Sequence, residues 1–247
     1  MTYIAYKIPK DSNEIILYMD TLTTNPQKEH LDNMRKFYIH EPSGIVVCGT
    51  GSLDELAFVI WNLSKQKIDN FEDVASFVKN LLDIYSHNWE GLQITESSTC
   101  FMFGFSDGER RFQRWHRDVG SRKYLNQPEH NQNVEKGFLL CRPSMQAFAG
   151  EKNSVIEYYM AIENSYTAST DLDEIILIEA MLAESFEKDI VVGGFLEKVL
   201  IEASQIKIKT IMTFAINSTA DTQSTILDFV RDKGWESTFE VIASRYL

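Results

Sequence analysis

Two helical stripes sit back to back between groups of strand-like runs, and that order limits the chain to a layered sheet-and-helix architecture. The first stripe places Leu56, Val59, Ile60 and Leu63 on one face; the second places Val74, Phe77, Val78, Leu81, Leu82 and Tyr85 on one face between about Phe71 and Trp89. Ser52 followed by Glu55 reads as a capping box that starts the first helix, directly after the turn Gly49-Thr50-Gly51. Ahead of the helices, residues 2–8 and 14–24 read as one hairpin, and 36–40 with 45–48 as a shorter one around Glu41-Pro42-Ser43-Gly44.

After the helices, strands are expected over 99–105 and 111–116 across the Ser106-Asp107-Gly108 turn, and over 137–141 and 145–148. The polar stretch 121–136 reads as a long loop, and 153–188 as helical with a break near 167–171, Asp171 capping a helix over 172–186. Residues 190–192, a Gly193-Gly194 turn and 195–201 restart the strand signal. Then come a strand over 207–216, a helix over 221–232 and a last strand over 239–244. No repeat, low-complexity tract or linker divides this order, so 1–247 is expected to form a single domain. Grouped strands and helices that must cover two sheet faces predict an α+β fold, a four-layer αββα sandwich.

Charge and cysteine usage narrow the function. A formal net charge of −12 disfavours phosphate-rich partners, so neither nucleic acid nor an acidic membrane surface is expected to bind. The basic, aromatic strip Arg110, Arg111, Arg114, Arg117, Arg122 and Lys123, interleaved with Phe112, Trp115 and His116, reads as a solvated hairpin or a contact surface for a neighbouring subunit. Cys48, Cys100 and Cys141 are widely spaced, which rules out a disulfide scaffold or a cysteine zinc site and fits a reducing compartment. His30, His40, His87, His116 and His130 show no ligand spacing, so neither metal nor cofactor is expected. The first residues lack a long apolar core and no run approaches a membrane span, which makes a cytoplasmic location the expectation.

The element order, with a strand at the very first residues, resembles the proteasome β-subunit and the bacterial proteasome-like peptidase subunit, N-terminal-nucleophile hydrolases. Thr2 stands after Met1 at the start of the first strand, where the family carries its catalytic threonine. Asp20, in Tyr18-Met19-Asp20-Thr21, matches the family aspartate at the end of the second strand. Arg35-Lys36-Phe37-Tyr38-Ile39 matches the third-strand motif: with Phe37 and Ile39 in register, Arg35 falls at the family lysine and Lys36 one place off. Gly49-Thr50-Gly51 matches the glycine turn before the first helix. Asp189-Ile190-Val191-Val192-Gly193-Gly194 matches the late Asp-x-x-Ser-Gly-Gly turn, with Val192 in place of the serine. The family's other supporting serine is expected near 148–150, where no hydroxyl appears before Ser154. The match covers roughly 2–60 and 172–201; segment 202–247 is a less family-like strand–helix–strand extension.

The resemblance implies a site. Thr2, freed by removal of Met1, attacks a peptide or amide carbonyl with its own amine as base. Asp20 orients a cation, Arg35 or Lys36, whose charge lowers the amine pKa, and Asp189 holds the amine side. Backbone N–H groups around Gly49 and Gly51, at the positive end of the helix, form the oxyanion hole. Lacking Gly-Lys-Ser/Thr, the glycine turn is not a P-loop. The family also implies a homo-oligomer and a possible ATP-dependent unfoldase partner. An Arg35–Asp20 ion pair in the same fold, kept as an inactive assembly or binding module, is the alternative.

Overall fold

A computed structural model of the chain describes residues 4–7, 12–24, 30–88, 98–118, 121, 123–126, 138–141, 193–214 and 224–245. The strand and helix expectations over 145–148 and 153–192 lie outside these residues.

The first sheet has five antiparallel strands in the order β10-β1-β2-β11-β12: β10 (Phe138–Cys141), β1 (Ile4–Lys7), β2 (Glu14–Asp20), β11 (Phe195–Glu202) and β12 (Gln205–Thr213). The second, also antiparallel, runs β5 (Phe37–His40), β6 (Ile45–Thr50), β7 (Ser98–Ser106), β8 (Glu109–Arg117) and β9 (Leu125–Asn126). A small third sheet joins β3 (Leu22–Thr24), β4 (His30–Arg35) and β13 (Ser224–Thr225). Thus the expected strand over 14–24 is broken at Thr21, and a strand not foreseen, β4, precedes the expected third strand.

Alternation along the strands explains the layering, because odd and even residues of one strand face opposite sides. Ile15, Leu17 and Met19 of β2, with Val199 and Ile201 of β11, meet Val46 and Cys48 of β6, and Phe101 and Phe103 of β7, in a core between the two large sheets. Tyr6, Phe103 and Phe112 pack there with ring centroids about 5 Å apart. The other face of the second sheet (Ile45, Val47, Cys100, Met102 and Trp115) forms a second core against helices α1 (Leu53–Leu63) and α2 (Phe71–Asn88), and the later helices α3 (Ile226–Asp232) and α4 (Glu236–Ser244). Helix, sheet and sheet are therefore stacked in that order, a mixed α/β architecture.

Residues 239–244 are helical, against the expectation of a strand. The reason is spacing: Phe239 and Ala243 are buried four apart and share a face with Trp235 and Ile242, a period that suits only a helix. Short β-branched runs such as Glu240-Val241-Ile242 carry strand propensity, but packing of Phe239 edge-on against Phe58 of α1, centroids 5.3 Å apart, overrides it.

Candidate active site

The end of β2 is the focus. Asp20 is fully buried, and its two carboxylate oxygens accept from Lys36 Nζ at 2.9 and 3.0 Å. Lys36 is itself 4% exposed and lies at the single-residue break between β4 and β5. Burial pushes the Lys36 amine below its ordinary value, while the charge and hydrogen bonds of Asp20 oppose that fall.

The late glycine turn returns to the same place. Gly193 N donates to Asp20 Oδ2 at 3.3 Å, and the Gly193 carbonyl accepts from the amides of Thr21 and Leu22. Phe195 N donates to Thr21 Oγ1 at 2.8 Å. Gly194 has φ +75, and a Cβ there would stand 2.3 Å from Asn33 Oδ1 and 2.4 Å from Thr21 Oγ1. Glycine is therefore required on two counts, backbone conformation and space. In this way Asp20, Thr21, Asn33, Lys36 and the Gly193-Gly194 turn form one packed, polar end to the sheet.

Arg35 is placed elsewhere. Its guanidinium makes a two-point contact with Glu197 of β11, Nε to Oε2 at 3.0 Å and Nη2 to Oε1 at 2.7 Å. The expectation that Arg35 occupies the lysine position is corrected by that geometry: Lys36 holds Asp20. The strand alternation is kept through this point: Arg35 shares the face of Phe37 and Ile39, and Lys36 takes the other face, that of Met34 and Tyr38.

Gly49 lies in β6 opposite Cys100, and a Cβ on it would stand 2.8 Å from the Thr99 carbonyl oxygen. Because Phe37 pairs with Cys48, Lys36 and Gly49 are the next residues along their two strands. Gly51 follows with φ +96, and Ser52 caps α1, its side chain accepting from Glu55 N. The capping box is only half formed. Glu55 turns instead into the protein, where its carboxylate accepts from Arg117 Nη2 at 2.9 Å and Nε at 3.4 Å. Thr2, Asp189 and Val192 lie outside the described residues.

The basic strip of β8 does not act as one surface. Arg117 is buried against Glu55, Arg110 donates to the Ser12 carbonyl, and Arg114 lies over the Phe101 ring. Only Arg111 among these four is exposed. His40 is buried between Ser43 and the Gln66 carbonyl, and His116 lies between Thr99 Oγ1 and Asp118.

No family model and no curated protein matches the sequence. Among solved structures, the chain is similar to the Anbu (Gly-1) mutant from Hyphomicrobium sp. strain MC1. The TM-score is 0.56 and the identity 15%, over 99% of this chain and 97% of that one. Anbu is a bacterial proteasome-like N-terminal-nucleophile hydrolase subunit. The chain has a proteasome-like fold. At this identity the likeness concerns the fold alone, and the chemistry rests on this chain's own residues. No helix among the described residues is long and apolar enough to cross a membrane.

Glu197 was not foreseen as part of this region, yet a signal was present. In Phe195-Leu196-Glu197-Lys198-Val199-Leu200-Ile201 the inward positions are 197, 199 and 201, so an acid stands where the alternation calls for an apolar residue. Such a residue demands a cation, and Arg35 supplies it.

Proposed function

We propose that the chain is a threonine-type hydrolase of peptide or amide bonds, with Thr2 as nucleophile after removal of Met1. The buried Asp20–Lys36 pair, with Gly193 N on the same carboxylate, carries this reading. A lysine suits the role better than the arginine expected there, because a compact ammonium sits as a point charge where a planar guanidinium needs more room.

Ile4 lies opposite Met19, one residue before Asp20, and stands two positions after Thr2, a reach of about 7 Å in extended chain. In the proposed reaction Thr2 Oγ forms a bond to the carbonyl carbon while its proton passes to the Thr2 amine. That proton then goes to the leaving amine, the C–N bond breaks, and water hydrolyses the resulting ester to regenerate the hydroxyl. Lys36 lowers the basicity of the amine by its charge, Asp20 fixes Lys36, and Asp189 holds the amine side. Amides around Gly49 and Gly51, ahead of α1, receive the developing oxyanion. The same reading includes a helical fourth layer from the segment between β10 and β11, a homo-oligomer, a possible ATP-dependent unfoldase and a cytoplasmic setting.

Intact mass followed by labelling tests it. The purified protein is expected to lack Met1 and to gain one adduct from an electrophile directed at N-terminal threonine, whereas Thr2→Ala gains none. Equal labelling of both proteins refutes the assignment. Val192, at the position of a family serine, favours a second reading, an inactive assembly or binding module. A protein that keeps Met1 and takes no adduct decides for that module.

A further inference from the structure

Two cations, Arg35 and Lys36, stand side by side in sequence, and two buried carboxylates stand side by side at the end of the β2–β11 ladder. Asp20 pairs in register with Leu196, and Glu197 with Met19, so the two acids sit one rung apart. Glu197 is directed toward the core between the sheets, as Met19 is, whereas Asp20 points with Leu196 to the opposite side. Consecutive residues of the incoming strand likewise diverge. Arg35 reaches one acid and Lys36 the other.

A slip of one residue would exchange them. Arg35 would face Asp20, and the site would hold a permanently charged guanidinium in place of a titratable amine. We propose that Glu197 is the positioning residue that prevents this exchange: by engaging Arg35 at two points it assigns Lys36 to Asp20. The inference rests on the proposed hydrolase for its catalytic consequence, but the assignment itself concerns geometry alone.

Three observations support it. The Arg35–Glu197 contact is bidentate, with Nε and Nη2 on separate oxygens, which fixes orientation as well as distance. Glu197 is 1% exposed, so an unpaired carboxylate there would be costly and the contact is strongly held. Arg35 also lies 5.4 Å from the centroid of the Phe37 ring, which adds a second restraint on the same face. Among the described residues, the charged groups that bear on Lys36 include Asp20 from β2, the neighbouring Arg35, and Glu197 from β11 acting through Arg35.

The test compares wild type, Glu197→Gln and the double variant Arg35→Gln with Glu197→Gln. Without Glu197, Arg35 competes for Asp20, and labelling of Thr2 is expected to fall by up to about a hundredfold, the scale for displacing one preorganised charge at a reacting centre. Removing Arg35 as well takes away the competing guanidinium, and the rate is expected to return to within about twofold of wild type. A merely structural ion pair predicts the opposite order, with the double variant no better than the single.

The second readout does not need activity. The Lys36 amine, followed by NMR in lysine-labelled protein with Lys36→Arg to identify the signal, titrates below the ordinary lysine value in wild type. It is expected to move toward that value in Glu197→Gln and to return in the double variant. An unchanged Lys36 titration in folded Glu197→Gln overturns the proposal, as does failure of the double variant to restore it. If wild type takes no Thr2 adduct while the Lys36 signal behaves as expected, the hydrolase reading fails and the register assignment stands.

Discussion

Two buried ion pairs anchor this structure, and they differ in kind. At the end of β2, Lys36 meets Asp20; at the base of α1, Arg117 meets Glu55. Burial dominates at Lys36 and draws its pKa down despite the neighbouring carboxylate. At Arg117 burial is again the largest single influence, yet the hydrogen bonds and charges of Glu55 and Tyr124 together outweigh it and the pKa rises. The second pair is a brace that ties the start of α1 to β8. The first keeps a proton within reach of exchange. Similar burial thus yields a fixture in one place and a titratable group in the other, because one cation is a guanidinium and the other an amine.

Breaking the brace is expected to have the largest effect. Arg117→Met leaves the Glu55 carboxylate buried without its cation, which should cost about 3–5 kcal/mol, measurable as a lower denaturant midpoint. A much smaller loss would mean that water already reaches this pair. Replacing Lys36 by arginine makes the first pair resemble the second. The protein should still fold, with Thr2 labelling reduced by about a hundredfold, near 2.7 kcal/mol, because the larger planar guanidinium cannot place its charge where the ammonium stood. Full labelling of Lys36→Arg would show that charge alone suffices.

The smallest effect separates the pairs by pH. Since the folded-state pKa of Lys36 lies below 10.5, the unfolded chain binds this proton more tightly. Its contribution is present above 10.5 and lost as pH falls through the folded value. The stability of wild type relative to Lys36→Met should therefore rise with pH toward 10.5, by at most about 1.4 kcal/mol per pH unit. The difference between wild type and Arg117→Met should show no such slope, and a slope of equal size in both comparisons would erase the distinction.

The layers were legible in the sequence because alternation and helical spacing are local signals. Leu56, Val59 and Ile60, or Phe101 and Phe103, announce their faces without knowledge of their partners. Gly193-Gly194 and Asp20 were singled out from their motifs, and the turn does meet the carboxylate. The pairing of Arg35 and Lys36 was harder to read. It depends on which acid each face meets, and one of those acids, Glu197, is 162 residues away along the chain. Residues 239–244 were misjudged for a related reason: the helix owes its stability to Phe58, a contact invisible from within the segment.

The two-residue strand β13 has a use beyond closing a small sheet. Thr225 pairs in parallel with Arg35, and the same Thr225 caps α3 through a reciprocal contact with Asp228. The final stretch of chain is thereby stitched to the strand that carries both cations. A protease cut or a frameshift ahead of Ser224 would not trim a dispensable tail; it would remove the lateral support of Arg35 together with Phe239 and Val230 from the helical core. A ligand or neighbouring molecule that tugs on α3 acts on the same strand, so the last stretch of the chain is a handle on the site near the first.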